Sequence, residues 1–207
     1  SLRPSIPTVV RRLLNCNHTA KNGGRGAPTL QCCYGARPPE DDTVYYCYLT
    51  TPIGELLLAG SDEGLSVIGF PQGKMRRDPE PAWIFSEQPF AEARRQLGEY
   101  FDGKRQTFDL KLCPAGTEFQ LAVLNELRKI PYGTTASYAY IARRIGRPKA
   151  VRAVGAANGR NPLPVIIPCH RVIGSGGQLT GFGGGLPTKE ALLRLEAEHS
   201  RFPHVAS

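Results

Sequence analysis

The chain has 207 residues, a hydrophobic fraction of 41% and a formal net charge of +8. A chain of this length can form one domain or two small ones, and no apolar run approaches the roughly 18 residues that a membrane span needs. Six cysteines in so long a chain do not make a disulfide framework, so a reducing compartment is expected. The apolar patches near the N-terminus are too short for a secretory signal peptide.

The positive charge is unevenly distributed along the chain. Residues 1–39 contain six basic residues and no acid. Between Glu126 and Glu190 there is again no Asp or Glu, and this acid-free window contains Arg128, Lys129, Arg143, Arg144, Arg147, Lys149, Arg152, Arg160, Arg171 and Lys189. Such a window indicates a polyanion partner, with nucleic acid as the leading candidate. A solvated basic surface is the alternative interpretation.

Residues 1–42 are predicted to be a disordered or flexible tail, because they are rich in Gly, Pro, Asn and Arg and lack hydrophobic periodicity. Their arginine-rich, acid-free composition is also typical of a transit-like leader. A zinc site is an alternative for this segment, although the spacing of its potential ligands matches no common pattern. Those ligands would be Cys16, His18, Cys32 and Cys33.

Residues 43–115 predict a small α/β supporting domain. The runs VYYCYLTT, ELLLAG and LSVIGF are strand-like and are separated by turn residues. PFAEARRQLGEYFDG has apolar residues at helical spacing and ends at Gly103, and FDLKLC alternates like a further strand. The segment therefore predicts three or four antiparallel strands and one helix.

Residues 116–207 predict a helical domain. TEFQLAVLNELRKI places apolar residues on one face, and TTASYAYIARRIG begins with threonine caps and ends at Gly146. Pro148 opens the next short helix, PKAVRAVGAAN, and KEALLRLEAEHS forms the last one. Two helices joined around Gly146 have the outline of a helix-turn-helix, whose second helix would contact DNA.

The second helix of this pair has mostly small side chains, with Arg152 as the one long side chain in its centre. Small side chains let a helix approach a surface closely, which suits the minor groove and the DNA backbone better than the reading of base edges. A buried alanine-rich helix with one surface arginine is the alternative.

Cys169 and His170 are adjacent in PCHRV, at the end of the apolar run VII. A nucleophilic cysteine reacts as its thiolate and needs a base or a positive field, which His170 would supply if the turn folds back or a water carries the proton. An acid would then orient the histidine, and the carboxylates downstream are Glu190, Glu196 and Glu198. A buried, inert thiol is the alternative.

PCHRV, preceded by ANGRNPLPVII and followed by a glycine-rich loop and TKEALLRLE, resembles the signature of the methylated-DNA–protein-cysteine S-methyltransferases, the O6-alkylguanine-DNA alkyltransferases. The likeness runs from about Tyr46 to Glu198 and includes TPIGELLLA, FDGKR and RPKAVRAVGAANGRNP. It implies an α+β fold, with a small antiparallel-sheet α/β domain followed by a helical, winged-helix-like helix-turn-helix domain. It also implies single-turnover transfer of the alkyl group from O6-alkylguanine, and from O4-alkylthymine, to the protein's own cysteine.

The resemblance also implies residue roles. Cys169 resembles the alkyl acceptor, His170 the base that acts through a water, and Glu196 the acid that orients it. Asn161 resembles the asparagine that braces the active-site turn, and Tyr138 the tyrosine that helps to rotate the nucleotide outward. Arg152 resembles the arginine finger that fills the vacated stack. The expected DNA-binding set is Tyr138, Lys149, Ala150, Arg152, Ala153, Gly155 and Ala156, and the expected pocket set is Pro164, Val172, Phe182 and Gly183.

Two features depart from the family pattern. Where many relatives have Tyr followed by Ser or Arg, this chain has Phe182 and Gly183, and the extra glycine freedom is expected to widen or loosen the pocket. The positions of the zinc-binding cysteines of some relatives fall on Asp42 and Ser61, so no metal is expected.

The expected partner is duplex DNA that contains alkylated guanine, bound by a monomer with no cofactor and no membrane association. The expected location is the cytoplasm, in association with the nucleoid, for a bacterial protein and the nucleus for a eukaryotic one. The rival functions are a non-catalytic lesion-binding protein of the alkyltransferase-like class and a cysteine hydrolase. The first class replaces the acceptor cysteine, and the second needs an oxyanion hole and turnover.

Overall fold

The computed structural model describes residues 43–200 and the backbone of 204–205. Its strands and helices are β1 (Tyr45–Thr51), β2 (Gly54–Ser61), β3 (Gly64–Gly69), β4 (Ile84–Phe85), α1 (Ala91–Phe101), α2 (Glu118–Leu127), β5 (Thr134–Ser137), α3 (Tyr138–Arg144), α4 (Val151–Asn158), β6 (Val172–Ile173), α5 (Leu186–His199) and β7 (His204–Val205). None of the helices in this part of the chain is long and apolar enough to cross a membrane. The predicted tail, the leader and the zinc alternative of residues 1–42 lie outside the described residues.

The first half of the chain forms a four-stranded sheet with the order β3-β2-β1-β4. As predicted, β1, β2 and β3 are joined as antiparallel hairpins. Gly54 and Gly64, with φ of +104° and +133°, open the second strand of each hairpin in a conformation that glycine adopts without strain. Cys47 and Leu58 face each other across β1 and β2, and both are fully buried in the same cluster as Leu97 of α1.

The prediction of a strand at FDLKLC is wrong. Within it only Leu112 forms a bridge, to Leu65. The side chain of Gln96 satisfies the backbone of Asp109 instead, because its Nε2 donates to the Asp109 carbonyl at 2.8 Å and its Oε1 accepts from the Asp109 amide at 2.9 Å. The fourth strand is β4, which lies parallel to β1. The prediction that all strands of this sheet are antiparallel is therefore wrong for β4.

The helical half confirms the predicted helices but moves several of their ends. The helix expected to begin with threonine caps begins four residues later, at Tyr138, because Thr134–Ser137 pair with β6 and β7 as a parallel strand. The N-cap of α3 is therefore Ser137, whose Oγ accepts from the Tyr140 amide at 3.1 Å. Helix α4 begins at Val151 rather than at Pro148, which lies in the turn before it.

The two halves share one continuous core. Buried apolar side chains from both halves form a single cluster. Backbone hydrogen bonds also join them: the Ile68 amide donates to the Pro162 carbonyl at 2.8 Å, and the Met75 amide donates to the Gly183 carbonyl at 2.9 Å. Strand β3 and the segment that follows it are therefore attached to the two loops that precede and follow Cys169. The domain boundary expected at residue 115 stays a prediction.

Candidate active site

A tightly braced turn precedes Cys169. The Asn161 side chain donates from Nδ2 to the Ile167 carbonyl at 2.7 Å, and its Oδ1 accepts from the Leu163 amide at 3.1 Å. Val165 lies between these contacts with φ of +73°, a left-handed conformation that is strained for a β-branched residue. Asn161 is 1% exposed and Val165 is fully buried. The turn is thus held in place from inside the protein by the two Asn161 hydrogen bonds.

Cys169 opens a 3-10 turn that runs to Arg171. In this conformation successive side chains point about 120° apart rather than to opposite sides, so neighbouring residues can serve one site. The thiol is 4% exposed, and its burial raises the pKa of Cys169 to about 11, against the opposing effects of the Asn161 side chain and the Lys189 charge. The resting side chain is therefore a protonated thiol that needs a base.

His170 is fully buried, and its Nε2 lies 2.8 Å from Glu196 Oε1. Burial lowers the pKa of His170, and the neighbouring Glu196 opposes this effect only in part. The ring is therefore neutral near neutral pH, with its proton on the nitrogen that faces the carboxylate. Its Nδ1 is buried and has no hydrogen-bond partner among the described residues, so this nitrogen is available to accept a proton.

Glu196 is a fully buried acid with several donors around it. Arg171 contacts both of its oxygens, at 2.9 Å from Nε to Oε2 and 2.9 Å from NH2 to Oε1. The Tyr100 hydroxyl donates to Oε1 at 2.7 Å, and the Gly133 amide donates to Oε2 at 3.0 Å. Burial alone would raise the pKa of Glu196, but His170 and Arg171 hold it well below its usual range. The acid is therefore ionised throughout the physiological range.

The sequence interpretation missed three residues of this site: Arg171, Lys189 and Tyr100. Lys189 is fully buried, and its Nζ donates to the Val172 carbonyl at 2.5 Å and to the Thr180 carbonyl at 3.2 Å. It thereby joins the two ends of the loop that follows the active-site turn. In the sequence, Arg171 and Lys189 stand out only as members of the basic window, although Arg171 lies inside PCHRV itself. Nothing in the sequence around Tyr100 indicates its contact with Glu196.

Helix α4 has one buried and one exposed face. Val154 and Ala157 are buried, whereas Arg152 is exposed. The other predicted DNA-binding residues are on or near the open face, with Lys149, Ala153 and Ala156 exposed and Ala150 and Gly155 partly buried. Because Ala153 and Ala156 are exposed as well as Arg152, the alternative of a buried alanine-rich helix with one surface arginine is wrong.

The basic window is less uniform than the sequence indicates. Acids just outside it pair with three of its members, since Glu126 contacts Lys129 and Arg144 and Glu196 contacts Arg171. By contrast, five exposed bases have no carboxylate partner within residues 43–200, namely Arg143, Arg147, Lys149, Arg152 and Arg160. These five remain the residues best placed for a polyanion.

The pocket residues Pro164, Val172, Phe182 and Gly183 are all buried. The expectation that glycine freedom widens or loosens the pocket stays a prediction. A Cβ at Gly183 would lie 1.9 Å from Met75 Cγ, and a Cβ at Gly184 would lie 2.9 Å from the Phe70 ring. The N-terminal domain therefore packs directly against both glycines.

Tyr138 contacts the loop that follows Cys169. Its hydroxyl accepts a hydrogen bond from Thr180 Oγ1 at 3.0 Å. Burial raises the pKa of Tyr138, so the hydroxyl keeps its own proton for donation. Helix α4 also approaches this ring, since a Cβ at Gly155 would lie 3.8 Å from Tyr138 Cδ1. The tyrosine is thus next to both α4 and the loop after Cys169.

Known protein families match both halves of the described chain. The family model "6-O-methylguanine DNA methyltransferase, ribonuclease-like domain" matches residues 44–114. The model "6-O-methylguanine DNA methyltransferase, DNA binding domain" matches residues 118–198. Neither model includes residues 1–43.

Two relatives and two solved structures extend the match over both segments. The methylated-DNA–protein-cysteine methyltransferase of Methanosarcina acetivorans is 53% identical over 153 residues, which are 74% of this chain and 98% of the relative. The protein of that name from Mycolicibacterium paratuberculosis is 47% identical over 160 residues, 76% of this chain and 94% of the relative.

The structure of Mycobacterium tuberculosis O6-methylguanine methyltransferase is similar with a TM-score of 0.70 and 45% identity, over 76% of this chain and 95% of that one. Mycobacterium tuberculosis OGT in complex with DNA gives a TM-score of 0.71 and 44% identity, over 75% of this chain and 94% of that one.

Proposed function

Because the chain belongs to the methylated-DNA–protein-cysteine methyltransferase family, we propose that it repairs DNA by direct reversal, with Cys169 as the acceptor of the alkyl group from O6-alkylguanine. The observation that carries this proposal is the arrangement around the thiol. Cys169 is a buried, protonated thiol next to a neutral His170, and His170 meets the ionised Glu196 at 2.8 Å. These are the parts that thiol activation requires.

In the transfer step a bond forms between Cys169 Sγ and the alkyl carbon, while the bond between that carbon and O6 of guanine breaks. The thiol proton passes through a water to Nδ1 of His170, the nitrogen that has no partner among the described residues. Glu196 stabilises the imidazolium that forms. The proton then passes to the departing guanine, so an unmodified neutral base and a thioether remain. No cofactor takes part in this balance.

The pocket would recognise guanine through the backbone carbonyls of Cys169 and Val172, which accept from its exocyclic amino group. Both carbonyls already have a buried donor on one side, since Asn158 Nδ2 lies 3.4 Å from the Cys169 carbonyl and Lys189 Nζ lies 2.5 Å from the Val172 carbonyl. A carbonyl oxygen has two lone pairs, so each can accept a second bond from the base. Tyr138 donates toward the ring as charge develops on it.

The DNA partner is proposed to lie along α4, with its minor groove against the small exposed side chains and Arg152. A thiol buried behind this helix cannot reach a base inside a duplex, so the damaged nucleotide must rotate outward. Arg152 would then occupy the vacated position in the stack. A similar Mycobacterium tuberculosis protein has been solved in complex with DNA, which supports this choice of partner.

The finer proposals are that O4-alkylthymine is a second substrate and that each molecule acts once. A thioether resists hydrolysis and thiol exchange, and a second nucleophile would be needed to remove the alkyl group. Among the described cysteines, Cys47 is fully buried and Cys113 lies in the segment before α2. Retention of Cys169 argues against the non-catalytic lesion-binding alternative.

The test is to incubate the full chain with duplex DNA that contains one O6-methylguanine and to locate the methyl group by peptide mass spectrometry. Cys169→Ala should lose all transfer and still bind DNA, whereas the control Cys113→Ala should transfer normally. A methyl group on another residue, or transfer by Cys169→Ala, would refute the assignment. Parallel reactions with O4-methylthymine test the second substrate.

A further inference from the structure

The Tyr100 hydroxyl is buried, contacts Glu196 from the N-terminal half of the chain, and has no role in the proposed alkyl transfer. Tyr100 belongs to α1, 96 residues before Glu196 in sequence, and its hydroxyl lies 2.7 Å from Glu196 Oε1. This is the same oxygen that His170 Nε2 contacts at 2.8 Å. We propose that Tyr100 is a positioning residue of the Cys169–His170–Glu196 relay, through which the N-terminal domain sets the basicity of His170.

The position of the Tyr100 ring is fixed by its surroundings. The residue is fully buried, and its ring makes edge contacts with Phe101 at 5.3 Å and with Tyr132 at 5.9 Å between centroids. A third ring, Phe108, lies at 5.5 Å. Burial raises the pKa of Tyr100 well above its ordinary value, and the Glu196 charge adds to this effect. The hydroxyl therefore keeps its proton and donates to the carboxylate at every pH at which the protein works.

Tyr100 acts on the charge of the acid more than on its orientation. Without this hydroxyl, Arg171 would still contact both oxygens of Glu196, and the Gly133 amide would still donate to Oε2. The carboxylate would thus keep its place, but Oε1 would lose one of its donors. A donor disperses negative charge on the oxygen that it contacts, so its removal strengthens the interaction of Glu196 with an imidazolium.

The direction of the effect follows from the groups that face His170. Glu196 favours the charged ring, whereas burial and the positive charges of Arg171 and Lys189 disfavour it. Loss of the Tyr100 hydroxyl strengthens the first influence only, so the pKa of His170 should rise. A histidine that is already protonated cannot take the Cys169 proton. Activity at acidic pH should therefore be lost earlier, and activity at alkaline pH should be retained.

The experiment compares Tyr100→Phe with Tyr132→Phe. Both substitutions remove a single buried hydroxyl from the same aromatic cluster, but the Tyr132 hydroxyl has no hydrogen-bond partner among residues 43–200. The rate of Cys169 alkylation by free O6-benzylguanine, which involves no DNA, is measured on the full chain between about pH 5 and pH 9. Tyr100→Phe should shift the acidic limb upward by about half a pH unit, and Tyr132→Phe should match the unsubstituted protein.

Titration of His170 by NMR provides a second measurement that does not depend on the rate, and its pKa should rise in Tyr100→Phe alone. Identical profiles for all three proteins would overturn the inference. So would an equal loss of rate by Tyr100→Phe at every pH, which marks a purely structural role, or an equal shift in Tyr132→Phe. The inference rests on the proposed function, but the two fail differently: if the unsubstituted protein leaves Cys169 unalkylated at every pH, the proposed function itself is wrong.

Discussion

The basic residues of the acid-free window include two groups that differ in burial and in partners. Arg171 and Lys189 are at most 5% exposed, and both are held by specific acceptors around Cys169. Arg152 and Lys149, at α4, are exposed and pair with no carboxylate in the described part of the chain. A stretch of sequence with uniform charge thus supplies both the interior of a reactive site and an open surface for a polyanion.

The buried bases are expected to act on the reaction at Cys169, and the exposed bases on the binding of DNA. Removing a buried cation leaves its buried partners uncompensated, and these are the Glu196 carboxylate for Arg171 and the Val172 and Thr180 carbonyls for Lys189. An exposed, unpaired cation contributes little to the fold and is available to an external phosphate. Substitutions in the buried group should therefore change stability and reaction with any substrate, whereas substitutions in the exposed group should affect duplex DNA alone.

The largest effect is expected at Glu196. Glu196→Ala leaves Arg171 buried without its carboxylate, which should lower the free energy of unfolding by about 3–5 kcal/mol. Glu198→Ala is the matched control on the same helix, because its side chain is exposed and its ion pair with Arg194 is long, at 4.0 Å. Urea denaturation of both variants measures the difference. Equal losses would mean that the buried network has no special role.

The exposed group is tested with Arg152→Ala. Its repair of O6-methylguanine in a duplex should slow by about 10- to 100-fold, since rotation of a nucleotide out of the stack costs a few kcal/mol. Its reaction with free O6-benzylguanine should be nearly unchanged. Lys149→Ala serves as the comparison and should mainly reduce the salt dependence of DNA binding, with the slope falling by about one. An equal loss of rate on both substrates would show that Arg152 acts on the pocket.

The packing between the two halves is tested at Gly183. A serine there must displace the Met75 side chain, because a Cβ would lie 1.9 Å from Met75 Cγ. Gly183→Ser should lower the unfolding free energy by about 1–3 kcal/mol, as overpacking commonly does. Adding Met75→Ala should restore part of this loss, which a double-mutant cycle measures. Additive losses would show that the contact does not constrain the loop.

The smallest expected effect is a pH dependence of stability. The folded-state pKa of Glu196 is depressed, so its contribution is fully present above the unfolded value of about 4.3 and is lost as the pH falls through the folded pKa. The stability difference between the unsubstituted protein and Glu196→Gln should therefore shrink below about pH 4. A constant difference down to acid unfolding would contradict this assignment of the ionised state.

The sequence predicts those parts of the site that a short motif contains. PCHRV and the asparagine eight residues before its cysteine identify the turn, and the strand alternation in 44–70 predicts the two hairpins. Tyr100 and Gly133 contact Glu196 only through tertiary packing, so no local pattern indicates them. The role of Arg171 is not predictable from the sequence because its partner, Glu196, lies 25 residues away on α5.

The errors in secondary structure have local physical causes. Two-residue strand β4 is too short to show any periodicity, and its pairing with β1 depends on the path of the preceding loop. Thr134 and Thr135 fit both a helix cap and a strand, and pairing with β6 and β7 decides for the strand. At FDLKLC the alternation reflects partial burial of Phe108 and Leu110 rather than a ladder.

The stoichiometry of transfer to Cys169 distinguishes a single-use alkyl acceptor from an enzyme that turns over. The full chain is mixed with a large excess of duplex DNA that contains O6-methylguanine, and methyl groups are counted on protein and DNA over time. Transfer is expected to stop at one methyl group per active molecule, with every methyl group on Cys169 as a thioether. Continued removal of methyl groups beyond one equivalent, or a methyl group on any other residue, would contradict this expectation.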